Sequence, residues 1–209
     1  VGSENNVLQR YYLAAKKFKI KNIIRITSDC PLIDVNILDQ LIDNYLKKDY
    51  DYASNIIDPS FPDGMDVELF KFDVLKNEYF NFSNQINKEH VTTGILDKKN
   101  YKKFSLRLKK DYSKLKLSID TPYDFKILKK LLRYFNNNIY VDLNEILKLF
   151  IKKPKFFEKN KSQERNIGMK LNTGQKTWIK AKNIIPGGTM LFSKNPDLLL
   201  PKKWPAYYS

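Results

Sequence analysis

The sequence predicts an α/β fold, a sheet joined by crossover helices, on three observations. Short β-branched or alternating runs take turns with stretches whose apolar residues recur at helical spacing. Clusters of Pro, Gly, Asn and Asp punctuate the two kinds of run. Two of the predicted strands end in an acid close to a helix start, the place where ligands gather in parallel α/β sheets.

The elements follow in order. Val7, Leu8, Tyr11, Tyr12, Ala15 and Phe18 predict a helix from Asn6 to Phe18. Ile23, Ile24, Ile26 and Thr27 predict a buried strand over 23–27, and Pro31 stops its ladder. Asp34 suits the cap of a second helix whose apolar face is Val35, Leu38, Leu41, Ile42 and Tyr45. A strand is predicted from Tyr50 to Asn55. Asp58-Pro59-Ser60-Phe61-Pro62-Asp63-Gly64 is turn chemistry, and Met65 to Phe70 alternates as a strand. Helices are expected over 72–80 and 84–97, and strands over 103–108 and 115–119. Thr121-Pro122-Tyr123-Asp124 reads as a helix start, with Thr at the cap, Pro first and Asp third. That helix should reach Phe135, and another should cover 142–151. Lys152 to Lys161 reads as a linker within 151–164, followed by a short helix from Thr177 to Ile185 stopped by Pro186-Gly187-Gly188.

Composition removes several functional classes. One cysteine, Cys30, excludes a disulfide framework, and with one histidine, His90, leaves too few soft ligands for a zinc enzyme. No apolar run approaches the roughly 20 residues of a membrane span, and no signal peptide is apparent, so a cytoplasmic chain is expected. The net charge of +15 suggests nucleic acid, but its distribution argues against it. Residues 1–150 carry 25 Lys/Arg against 20 Asp/Glu, a net of +5; residues 151–209 carry 13 against 3, a net of +10. Only five of the basic residues are Arg, and no aromatic-interleaved basic stripe is present. Neither a nucleic acid nor a membrane is expected as a partner.

Asp29 and Asp120 are the acids at the two strand ends. Were both strands parallel in one sheet, the carboxylates would emerge on one edge. Magnesium is held by one or two carboxylates together with waters and substrate phosphates, and such a pair suits chemistry on a nucleoside triphosphate. Asp before Thr-Pro is equally a common turn and cap.

Five ordered motifs carry a resemblance: GSENNVLQRY from Gly2, RITSDCPLID from Arg25, PDGMDVELF from Pro62, EHVT from Glu89 and SIDTPYDF from Ser118. Over residues 1–135 they resemble the spore coat polysaccharide biosynthesis protein F family, itself similar to acylneuraminate cytidylyltransferases. The resemblance implies a nucleotide-diphospho-sugar transferase fold: a Rossmann-like mixed sheet with helices on both faces. It implies transfer of CMP from CTP to a sugar acid, with release of pyrophosphate, for surface polysaccharide. It makes Asp29 and Asp120 catalytic, magnesium-holding acids. Arg25, Asp66, Glu68, His90 and Arg107 become substrate-binding candidates, although Arg107 beside Lys109 and Lys110 also suits a solvated basic edge. A homodimer is a further expectation. Ser28 stands where the family usually has Gly, and Asn5 and Asn6 where it has acids. Such enzymes begin with a strand and a Gly-rich phosphate loop; none precedes the first helix, so an inactive fragment lacking its first strands is expected. Residues 165–209, with WIKAK from Trp178 and IIPGGTMLFSK from Ile184, are similar to the opening of class III, glutamate-1-semialdehyde-like aminotransferases. That implies a fusion truncated at both ends, whose pyridoxal phosphate would lie on a lysine beyond this segment; the alternative reading makes the cytidylyltransferase-like domain a non-catalytic partner of the aminotransferase.

Overall fold

Alternation along two neighbouring strands divides the core into two layers, one on each face of the sheet. The computed structural model describes residues 2, 6–81, 90–157, 181 and 184. The chain divides into two units, Val1–Arg165 and Asn166–Ser209. Apart from Ala181 and Ile184, the described residues lie in the first.

Its elements are α1 (Val7–Lys17), β1 (Asn22–Arg25), α2 (Val35–Lys47), β2 (Tyr52–Ser54), β3 (Glu68–Lys71), α3 (Phe72–Asn81), α4 (Thr93–Asp97), β4 (Lys103–Ser105), α5 (Pro122–Tyr134) and α6 (Leu143–Lys152). The strands form a mixed sheet in the order β1-β3-β2-β4. β3 is antiparallel to β1 and β2, while β2 and β4 are parallel, so β1, β2 and β4 point the same way. Successive residues of β2 and β3 face opposite layers. Tyr52 and Phe70 join Leu8, Tyr12, Ala15, Val74, Leu75 and Ile95, the layer of α1, α3 and α4. Ala53 and Leu69 join Ile37, Leu41, Tyr45, Ile127, Leu131 and Ile146, the layer of α2, α5 and α6. Helices therefore cover both faces.

The caps follow the sequence. Asn6 accepts from Gln9 N at 2.9 Å. Thr121 and Asp124 form a reciprocal capping box with Pro122 at the first helical position. Asp34 does more than its position predicts: Oδ1 accepts from Asn36 N, and Oδ2 accepts from Leu143 N, each at 2.8 Å. One buried carboxylate thus caps α2 and holds the first residue of α6, 109 positions away. Asp34→Ala is expected to cost about 2 kcal/mol, roughly one cap for each orphaned N–H. A lowered urea midpoint with an unchanged m-value would show it.

Several predicted bounds move. The strands over 23–27, 50–55, 65–70 and 103–108 shorten to the three- and four-residue strands above, β1 starting one residue early at Asn22 and β3 running one residue on to Lys71. Of the helix predicted over 84–97, Thr93–Asp97 is observed as α4; residues 82–89 lie outside the described residues. The strand predicted over 115–119 does not join the sheet. Leu115 and Leu117 are buried in alternation as the pattern demands, but Leu115 O and Leu117 N bond Asp63 and Leu115 N donates to Tyr112 O, with an isolated bridge between Asp63 and Lys116. The linker predicted from residue 151 also starts too early. α6 runs to Lys152, and a 3-10 turn over Pro154–Phe157 buries Phe157 in the core beside Phe150. The predicted helix from Thr177 and the aminotransferase-like segment fall almost wholly outside the described residues. Among those residues no helix is long and apolar enough to cross a membrane.

Candidate active site

Sheet register places Arg25, Glu68, Ser54 and Ser105 in one row across all four strands. The row is the carboxyl end of the three co-directional strands, where an open α/β sheet binds its ligands. Three loops leave from it: 26–34 after β1, 55–67 between β2 and β3, and 106–121 after β4.

These loops are bonded to one another by backbone. Asp63 N donates to Leu115 O at 2.9 Å, while Leu117 N and Ser118 N both donate to Asp63 O, at 2.6 and 3.1 Å. Gly64 makes this approach possible. Its φ is +100°, and a Cβ there would lie 2.3 Å from Ser118 N and 2.5 Å from Leu117 C. Ile119 N then donates to Asp29 O at 2.9 Å. The loop after β1 and the segment ahead of α5 are thereby joined at Asp29, one residue from Asp120. The two acids do share an edge, but by loop-to-loop bonding and not by parallel strands. Asn55 fixes the middle loop from the other side, donating to Met65 O at 2.6 Å and accepting from Val67 N at 3.0 Å.

Asp29 is half-buried in the turn after β1, and Cys30 Sγ lies 3.8 Å from its Oδ1. Burial pushes the Cys30 thiol up to about 12, reinforced by the Asp29 and Asp66 carboxylates against the hydrogen bonds of Thr27 and the Asp66 backbone. The thiol is therefore a neutral filler at physiological pH, not a nucleophile. The same relation puts Asp66 beside Cys30. Asp120 is half-exposed; Ser118 Oγ (3.1 Å) and Lys116 Nζ (2.7 Å) both bond its Oδ2.

Lys116 and Asp124 are participants that sequence reasoning missed. Asp124 Oδ2 accepts from Lys116 Nζ, Asp120 N, Thr121 N and Thr121 Oγ1, all within 2.7–3.0 Å. Burial would raise the Asp124 carboxyl, but these hydrogen bonds, led by that of Lys116, hold it below the usual carboxylate value. A depressed folded-state carboxyl contributes stability that is present above the unfolded value near 3.9 and is lost as pH falls through the lower folded value. Melting temperature should therefore fall below about pH 4, and Asp124→Asn should flatten that acid limb relative to wild type.

Three of the expected substrate residues are held by other side chains of the protein. Glu68, a substrate-binding candidate, is instead buried: its side chain is 2 % exposed, paired with Arg25 and bonded to Tyr52 Oη at 2.7 Å and Thr92 Oγ1 at 2.5 Å. Arg25, the last residue of β1, is the buried partner of that carboxylate. The attraction of Glu68 outweighs the burial that would lower its value, so the guanidinium is held above the ordinary arginine range. Arg107 pairs with Asp58 on the surface, as the solvated reading anticipated. His90 is half-buried at the start of the turn that leads to Thr92.

Comparison with known proteins now decides the family. The family model described as "Cytidylyltransferase" matches residues 1–171. The chain belongs to the cytidylyltransferase family. It is 35 % identical over 158 residues to an uncharacterized protein, MJ1063, of Methanocaldococcus jannaschii, covering 73 % of this chain. It spans 63 % of that relative's length. Among solved structures it is similar to a cytidylyltransferase from Leptospira borgpetersenii serovar Hardjo-bovis, with a TM-score of 0.71 and 31 % identity over 78 % of this chain and 68 % of the other. The mixed sheet expected of a cytidylyltransferase is the one observed. The family match runs past residue 164 to 171, beyond the start of the aminotransferase-like segment.

Proposed function

We propose that this chain carries part of the active site of an enzyme that transfers CMP from CTP to a sugar acid, releasing pyrophosphate, for a surface polysaccharide. Family membership supports the use of CTP. The observation that carries the site is the bond from Ile119 N to Asp29 O, which joins the loops bearing Asp29 and Asp120 at the carboxyl edge of the sheet.

In this reading an acceptor hydroxyl forms a P–O bond to the α-phosphorus of CTP as the α–β anhydride bond breaks. The hydroxyl loses its proton and pyrophosphate leaves. The donor set of the two acids fits magnesium: both offer hard carboxylate oxygens, and both hydrogen bonds to Asp120 fall on one oxygen. Among the described residues no three His, Cys, Asp or Glu side chains are grouped to hold a metal by themselves. Asp29 and Asp120 would hold the magnesium ion, and when bound it would neutralise charge developing on the phosphates. The chain's own task is to fix those two acids, which the Gly64 contact and the Asp124 hydrogen bonds accomplish. The neutral Cys30 adds no charge beside them. The likeness of residues 165–209 to an aminotransferase opening supports an amino sugar as the eventual product class.

Calorimetric titration of the full-length protein with the four ribonucleoside triphosphates, with and without magnesium, tests this reading. CTP should bind at least about tenfold tighter than the others, a difference of ~1.4 kcal/mol, and more tightly with magnesium. Equal affinity for all four, or no binding of CTP, would overturn it.

A further inference from the structure

Glu68 is buried and satisfied from three directions, and one of its partners is attached to a strained turn. Thr92 N donates to His90 O at 2.5 Å, the i to i+2 bond of a γ-turn. The central residue, Val91, is a buried β-branched residue with φ +56°. That is the rare positive-φ form of the turn, and a β-branched side chain is among the least suited to it. A strained conformation persists only where its surroundings over-determine it, and such conformations gather at functional sites. Here the restraint is visible. Thr92 is fully buried; its Oγ1 donates to Glu68 Oε1 at 2.5 Å and lies at a longer 3.3 Å from His90 O, within its own turn. The other oxygen of Glu68 holds Arg25, the last residue of the strand that leads to Asp29. One carboxylate therefore ties together the end of β1 and the turn that begins at His90.

We propose that Glu68 and Thr92 are positioning residues, which hold the strained His90–Thr92 turn against the end of β1 so that His90 is presented to the bound substrate. The inference rests on reading this edge of the sheet as the site of nucleotidyl transfer. Tyr52 and Thr92 both donate to Oε1 of Glu68 while Arg25 pairs with Oε2, so the turn and the end of β1 are held by different oxygens of one side chain.

His90 is the single histidine of this chain, and its imidazole resonance, once assigned, reports the turn directly. In the full-length protein, with that resonance assigned by its loss in His90→Gln, Thr92→Val should shift or broaden the signal. Thr92→Ser, which keeps the hydroxyl, should leave it in place. Tyr52→Phe removes a different donor from the same oxygen; it should lower the melting temperature without moving the signal. In kinetics, Thr92→Val should lower kcat about tenfold while the affinity for CTP stays within about twofold. A His90 resonance unchanged in Thr92→Val, or moved equally by Tyr52→Phe, would overturn the proposal, as would a displaced resonance in Thr92→Ser. The resonance is read without turnover. A wild-type protein that transfers no cytidylyl group would refute the functional reading, and the resonance would still judge the turn.

Discussion

Asp29→Asn in the full-length protein is expected to lower CTP-dependent pyrophosphate release about 1,000-fold and leave the fold intact. The substitution keeps the shape of the side chain and deletes its charge. Loss of one carboxylate from a magnesium-phosphate site removes several kcal/mol of transition-state stabilisation, and about 4 kcal/mol corresponds to three decades in rate. Stability should hardly change, because the fold uses the backbone carbonyl of Asp29, bonded by Ile119 N, and that group survives. The side chain is half-buried, and the neutral thiol of Cys30 lies 3.8 Å from its Oδ1. Steady-state kinetics and thermal melts on the same samples separate the two effects. A rate within tenfold of wild type would remove Asp29 from the chemistry.

The largest stability effect is expected at Gly64. Gly64→Ala meets two penalties together: a φ of +100°, which L side chains rarely adopt, and a Cβ 2.3 Å from a backbone nitrogen. Neither neighbour is a flexible side chain able to swing away. Both belong to the 115–119 segment, itself bonded to Asp63 on one side and Asp29 on the other. Relief would require that segment to move away from the loop. A loss of about 4 kcal/mol or more is expected, of the order of severe core lesions, with a fall in melting temperature of roughly 8–16 °C. Because Ile119 bonds Asp29, the displacement should also reach the site, and any folded Gly64→Ala protein should show lowered activity. A melting temperature within 2 °C of wild type would show that the close approach is dispensable.

Much of this arrangement was legible in the residues because it rests on local chemistry. The Thr121-Pro122-Tyr123-Asp124 cap, the Asp34 cap and the turn before Gly64 depend on side chains a few positions apart, and each forms as the spacing predicts. The proximity of Asp29 and Asp120 was anticipated for the wrong reason. Alternating Leu115 and Leu117 read equally well as a strand and as an extended segment laid across loops, and only the long-range partners distinguish them. Glu68 shows the same limit more sharply. Strand alternation assigns it a face but not a depth, and its burial depends on Arg25, Tyr52 and Thr92, which lie 43, 16 and 24 residues away. The signal that existed was an arginine in a run of isoleucines, a charge that would need a buried partner. Nothing in the sequence marks Val91 as strained, since its conformation is imposed by contacts and not by its own preference.

The central claim is that the edge joined at Asp29 is a site of cytidylyl transfer. The most direct measurement supplies the full-length protein with magnesium, a panel of sugar acids and CTP labelled either at the α- or at the γ-phosphorus. The account predicts that α-label moves to a sugar product, and that γ-label appears only in pyrophosphate and only when an acceptor is present. Label from the γ-position in a sugar or as orthophosphate, or no transfer of α-label to any acceptor by a protein that binds CTP, would contradict it.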